Sequence, residues 1–142
     1  ITTWNAGRLQ TAAAKATLDD QRRAFQRETL LSLQDKMHRY LQLLVGVRFE
    51  QLTAQAKTGL WEAVPLPEDM DREVMDAGRE VRKVVERVAD DVLRQQLKAL
   101  MDSITTFMLS NHEDDAKDLY GAIVIEGATA MERIGEGLRA QY

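Results

Sequence analysis

The two prolines of this chain, Pro65 and Pro67, stand one residue apart, and on either side of them little obliges a helix to stop. With Gly59 ahead of them they form one connector. Behind them Glu68, Asp69 and Asp71 read as an acidic helix start, favoured by the macrodipole. A second connector, Ser110-Asn-His-Glu113, has the S-x-x-E spacing of a capping box. Three helical stretches are left, about 3–58, 69–109 and 111–139. At 1.5 Å per residue they run roughly 80, 60 and 45 Å. Lengths so unequal cannot pair end to end, so something must overhang, break or find another subunit. The expected fold is all-α: an elongated antiparallel bundle of three long helices, or four if the first or second is broken.

Composition agrees with helix. The 142 residues fit one domain, and 44% apolar content suffices for one core. Only 6% are aromatic, which argues against a sheet protein. With no cysteine, disulfides, zinc fingers and thiol catalysis are excluded. No apolar run approaches the 18 or more residues that could span a bilayer, and no signal peptide is present in the sequence as it stands. The chain opens on Ile1 rather than methionine, which points to a trimmed or processed start.

Apolar spacing at 100° per residue sorts the stretches. Leu30, Leu33, Met37, Leu41, Leu44, Val45 and Leu52 share one face of the first, with Phe25, Leu43 and Val47 as a second patch beside it and Leu31 and Phe49 widening the arc. A helix apolar over so much of its circumference is buried on several sides, so residues 25–52 are expected to be the central helix. Before residue 25 only Leu9, Ala12, Ala13, Ala16 and Leu18 remain among polar neighbours, a good helix by propensity but a poor core element. The reading is a basic arm or juxtamembrane stalk over 1–24, or a helix folded back after a break near Asp19 and Asp20, with the bundle domain over 25–142. In the second stretch Met70, Val74, Ala77, Val81, Val84, Val85, Val88 and Val92 share one face. Leu93, Leu97, Leu100, Met101, Ile104, Phe107 and Met108 share another, rotated by about 100°. One straight helix cannot present both to one partner, so it bends or exchanges neighbours near Asp90 and Asp91. The last stretch carries one narrow stripe: Ala116, Tyr120, Ile123, Gly127, Met131, Ile134 and Leu138.

Candidate chemistry is sparse. His112, Glu113, Asp114 and Asp115 are the densest potential ligands, but consecutive residues on one turn point in different directions, and acidic residues at a helix start are expected as caps. A di-iron bundle needs paired Glu-x-x-His motifs; His38 follows Asp35 at that spacing, whereas Leu109 stands three residues before His112. In size the chain resembles helical nucleotide pyrophosphohydrolases, which hold Mg²⁺ with Glu-x-x-Glu and Glu-x-x-Asp pairs on facing helices. Glu73, Asp76 and Glu80 form the one matching set, and the first helix offers no partner pair. A phosphotransfer histidine also sits on a bundle helix before a lysine-glycine motif, but Arg39-Tyr40-Leu41-Gln42 follows His38, which reads as a boundary residue. No cofactor is implied.

Charge is distributed unevenly. Residues 1–58 hold nine Lys/Arg against five Asp/Glu, and residues 59–142 hold ten against eighteen, so a +4 arm and helix precede a −8 body. Arg8, Lys15 and Arg22 recur every seven residues, and Arg23 and Arg27 add an i, i+4 pair, making a basic ridge. Neither interleaved aromatics nor helix-turn-helix spacing accompanies it, which argues against nucleic acid, whereas a juxtamembrane segment needs the charge alone. The opening Ile1-Thr-Thr-Trp-Asn-Ala-Gly-Arg-Leu-Gln10, with Asp20-Gln-Arg-Arg-Ala-Phe-Gln-Arg27, resembles uncharacterised bacterial proteins that carry one N-terminal membrane helix and then a helical bundle. The resemblance covers about 30 residues. It implies a membrane anchor preceding Ile1, Trp4 at the interface and Arg8 onward on the cytoplasmic side, and it implies no activity.

The expectation is therefore a non-enzymatic interaction or scaffolding module, with a homo-oligomer formed through Phe25, Leu43 and Val47 and an anionic membrane surface met by Arg8, Lys15, Arg22, Arg23 and Arg27. The rivals are a metal-dependent hydrolase using Glu73, Asp76 and Glu80, and a helical sensor binding a small apolar ligand between Met- and Leu-lined helices.

Overall fold

The computed structural model describes residues 2–61 and 66–142, and among them every regular element is helical. There are four helices: α1 (Thr2–Thr58), α2 (Glu68–Val85), α3 (Asp91–Met108) and α4 (Glu113–Ala140). No described helix is long and apolar enough to cross a membrane.

α1 runs through Asp19 and Asp20 without a break and stops at Gly59. There φ turns to +70°, a conformation glycine adopts without a Cβ clash, and the Gly59 N–H donates to the Gln55 carbonyl at 2.7 Å. The second stretch breaks between its two apolar faces. α2 ends at Val85, Val88 turns into the core, and Asp90 caps α3 by accepting from the N–H groups of Val92 (3.0 Å) and Leu93 (3.1 Å). Gln26 of α1 grips the connecting turn with both ends of its amide, donating to the Arg87 carbonyl and accepting from the Ala89 N–H, each at 3.0 Å. Three expected long helices thus become four. Val92, placed by spacing on the α2 face, lies past the break and is exposed.

The start of α4 differs from the capping box as well. The helix begins at Glu113, with His112 in the N-cap position making no side-chain cap bond. The Ser110 hydroxyl instead donates to the His112 carbonyl, and Glu113 accepts from the Gln55 amide of α1 at 2.6 Å. The glutamate is therefore engaged across the helix interface rather than back on its own turn.

Neighbours pack in the ring α1, α2, α3, α4, and among the described residues the backbones of diagonal helices stay more than 8 Å apart. Along α1 and α2 the touching pairs are Lys36 with Glu80, Tyr40 with Gly78 and Gly46 with Met70. Along α1 and α4 they are Leu30 with Gly137, Leu41 with Gly127 and Arg48 with the Tyr120 ring. Numbers rise on α1 as they fall on each neighbour, so both run opposite to it. Glycines permit the closest approaches: a Cβ at Gly78 would lie 3.1 Å from Tyr40 Oη, and one at Gly127 would lie 3.2 Å from the Leu41 methyls. The core is built from Leu33, Met37, Leu44 and Val47 of α1, the valines of α2, Leu97, Ile104 and Phe107 of α3, and Ile123 and Ile134 of α4.

Candidate functional site

α4 reaches back along α1 only as far as Arg27, whose guanidinium stacks on the Tyr142 ring at 5.2 Å. Ahead of that point α1 continues alone for about 23 residues, or roughly 35 Å. From Trp4 to Arg23 every side chain but Asp19 is exposed. The segment is helical because its alanines, glutamines and arginines favour helix locally and because it is the extension of a helix already nucleated by packing. Thr11 and Thr17 return their hydroxyls to the Gly7 and Ala13 carbonyls one turn back.

Four of the five expected basic residues lie on this arm. Trp4, Arg8, Lys15 and Arg22 fall within about 40° of one another around the helix. The Arg8 guanidinium lies over the Trp4 ring at 4.8 Å, and Arg22 faces Asp19 at 3.9 Å. Arg23 sits beside that ridge. Arg27 does not belong to it: partly buried, it is held at the end of the bundle by Tyr142 and the Gln141 carbonyl.

The three residues expected to mediate self-association do not form one surface. Val47 is 1% exposed and part of the core, Leu43 is partly buried against that core, and Phe25 is half-exposed near the root of the arm. Within the bundle α1 also leaves in solvent Leu31, Val45, Phe49 and Leu52, which spacing assigns to the buried arc. The reason is the position of the neighbours. α2 covers the side of α1 that carries Tyr40 and Val47, and α4 covers Leu41 and Arg48, so Val45 and Leu52 turn outward. Gly78 and Gly127, each inside an apolar stripe, mark where α1 comes closest and were the available signal.

Glu73, Asp76 and Glu80 are all exposed on α2. Glu80 accepts Lys36 on one oxygen (3.0 Å) and Lys83 on the other (3.4 Å), which holds its carboxyl below the usual range, and Asp76 pairs with Arg79 at 3.4 Å. The charges of Asp76 and Glu80 are met by cations of the chain itself, and no group of three His, Cys, Asp or Glu among the described residues is gathered closely enough to hold a metal ion. His112 and Asp115 line an open groove with Leu109 and Leu119, while Glu113 is turned toward Gln55. His38 is exposed and lines a groove between α1 and α4 with Leu41, Val45, Tyr120 and Val124. No family model, curated protein or solved structure matches the chain.

Proposed function

We propose that the chain is a non-enzymatic interaction and scaffolding module: an elongated antiparallel bundle that associates with its own kind and carries a basic helical arm to an anionic membrane surface. The observation that supports this reading is the arm itself. Some 20 residues of α1 hold their side chains in water with no cover from the rest of the chain, and four cations and a tryptophan lie along them. Alone in water, a helix of this length is marginal, so a surface that takes up its cations and apolar residues stabilises it. Trp4 belongs at headgroup level, with the cations beside the phosphates.

Cosedimentation with vesicles tests this. Vesicles of mixed phosphatidylserine and phosphatidylcholine are expected to bind the protein at low salt and release it at high salt, at about 1 kcal/mol per basic residue near the surface. Changing Arg8, Lys15, Arg22 and Arg23 together to glutamine is expected to abolish binding while leaving the bundle folded. Equal binding to pure phosphatidylcholine, or binding to neither vesicle, would remove the lipid reading.

A further inference from the structure

The charges of the bundle are spread unevenly around it. Ion pairs lace α2 and α3 and tie α2 to α1: Lys36 with Glu80, Lys83 with Glu80, Arg79 with Asp76 and Lys98 with Glu86 among them. None of the ion pairs among the described residues involves α4. Between Lys117 and Glu132 the outward side of α4 carries Gly121, Val124, Ile125 and Ala128, all exposed. The two carboxylates in that interval, Asp118 and Glu126, lie toward α3 in grooves they share with residues of the α3 region, and Ile125, which lines the same groove as Glu126, marks the α3 edge of the strip. Beside this strip α1 presents Val45, Phe49 and Leu52, neighbours at i, i+4 and i+7. The nearest charges on α1 are out of the way: Arg48 is drawn in against Tyr120 and Trp61, and Glu50 is turned about 140° from Val45. The result is an uncharged apolar face on a chain that is 30% charged, with Phe49 66% and Ile125 70% exposed.

We infer that this α1–α4 face is covered by a second copy of the chain, related by a two-fold axis that runs α1 antiparallel to its partner α1. The inference rests on the self-association proposed above and names its surface. Three features favour a second copy. The face holds both a knob and a hole: Phe49 protrudes, and two turns earlier along α1 a groove of about 240 Å³ opens between Leu41, Val45, Tyr120 and Val124, with His38 and Gln42 also in its lining. Knob and hole lie roughly 10 Å apart along the helix, so a parallel pair would set Phe49 against Phe49, whereas an antiparallel pair seats each Phe49 in the groove of the other. Second, two copies of a chain of net charge −4 repel at long range, and an uncharged face adds no like-charge contact to that repulsion. Third, Val45, Phe49, Leu52, Val124 and Ile125 expose on the order of 500 Å² per copy, so two faces reach the roughly 1,000 Å² a specific interface needs. The geometry sends the two basic arms out at opposite ends of the dimer.

Light scattering behind a sizing column, over micromolar concentrations, tests this on the whole chain with three variants. The wild type is expected at twice the 16.1 kDa of the chain. Phe49→Glu and Val124→Lys are each expected to run as folded monomers, with the dissociation constant raised roughly a thousandfold, since a central aromatic anchor is worth about thirtyfold and the two-fold removes it twice. Mixing the two variants is expected to restore a dimer, because one Phe49 seat stays intact and the other gains an opposite-charge pair. Met75→Glu, exposed on α2, is expected to leave the dimer unchanged. A wild-type dimer that survives both Phe49→Glu and Val124→Lys would overturn this face while leaving self-association standing. A wild-type mass of one chain throughout would overturn both and leave the face to a different partner.

Discussion

Replacing Gly78 by alanine should destabilise the protein, although alanine is the better helix former. Gly78 lies in the middle of α2 and is buried against the Tyr40 ring. The exchange gains about 1 kcal/mol of helix propensity. Against this, the new Cβ would meet Tyr40 Oη at 3.1 Å and Cζ at 3.2 Å, so that buried ring must shift by a few tenths of an ångström. Overpacking of this kind costs about 1–3 kcal/mol, so a net loss near 1 kcal/mol is expected. Gly135→Ala on α4 is the matched reference. Its Cβ would touch only the tip of Arg139 at 3.4 Å, a flexible end that swings away, so the propensity gain of about 1 kcal/mol survives. Urea unfolding at one fixed protein concentration should separate the two variants by about 2 kcal/mol with unchanged slopes. If Gly78→Ala proves as stabilising as Gly135→Ala, α2 does not press on Tyr40, and the rotation of α1 that buries Tyr40 and Val47 is wrong.

The other predictions are quickly stated. Val47→Glu is expected to unfold the protein, since it buries an unpaired carboxylate in the core, whereas Phe25→Glu leaves the circular dichroism and melting point near wild type. Amides of residues 4–23 are expected to exchange far faster than those of 30–47, because no tertiary contact protects the arm; equal protection would show it is covered. Asp90→Ala is expected to cost about 1 kcal/mol by stripping the cap from α3, measured by the same urea titration. Burial pushes the Tyr40 hydroxyl above its ordinary value of 10, partly offset by Arg82. Stability from the neutral phenol is therefore full below pH 10 and falls as pH rises through the folded-state value. That part of the alkaline loss should vanish in Tyr40→Phe.

Much of the fold is written in apolar spacing, because spacing reports what a helix does to its own side chains. The valine face of 70–88 and the leucine face of 93–108 are legible, and their mutual rotation requires the break that Asp90 then caps. The α4 stripe is legible for the same reason: Ala116, Ile123, Gly127 and Ile134 are all buried. Spacing failed on α1, where apolar residues occupy more of the circumference than two neighbours cover. Which side stays wet then depends on where α2 and α4 sit, and that is a tertiary fact. Spacing puts Val45, Phe49 and Leu52 in the buried arc and Val47 in a patch covered by a second copy, whereas in the structure the first three are exposed and Val47 lies in the core of the single chain. Ser110 failed differently. Its motif fits a cap, but α4 starts too late for the hydroxyl to reach the first free N–H groups. The basic ridge was legible as charge at heptad spacing, though Arg27 was assigned to it because spacing does not show Tyr142.

The central claim is that α1 runs unbroken from the bundle into the arm. The chain has no cysteine, so Leu9→Cys and Arg39→Cys give two unique sites for spin labels, both exposed in the structure. Thirty helical residues separate them, and a continuous α1 predicts a pulsed electron–electron distance of about 45 Å in doubly labelled chains diluted with unlabelled protein. An arm folded back after Asp19 and Asp20 would bring the labels to within about 20 Å and would contradict the account.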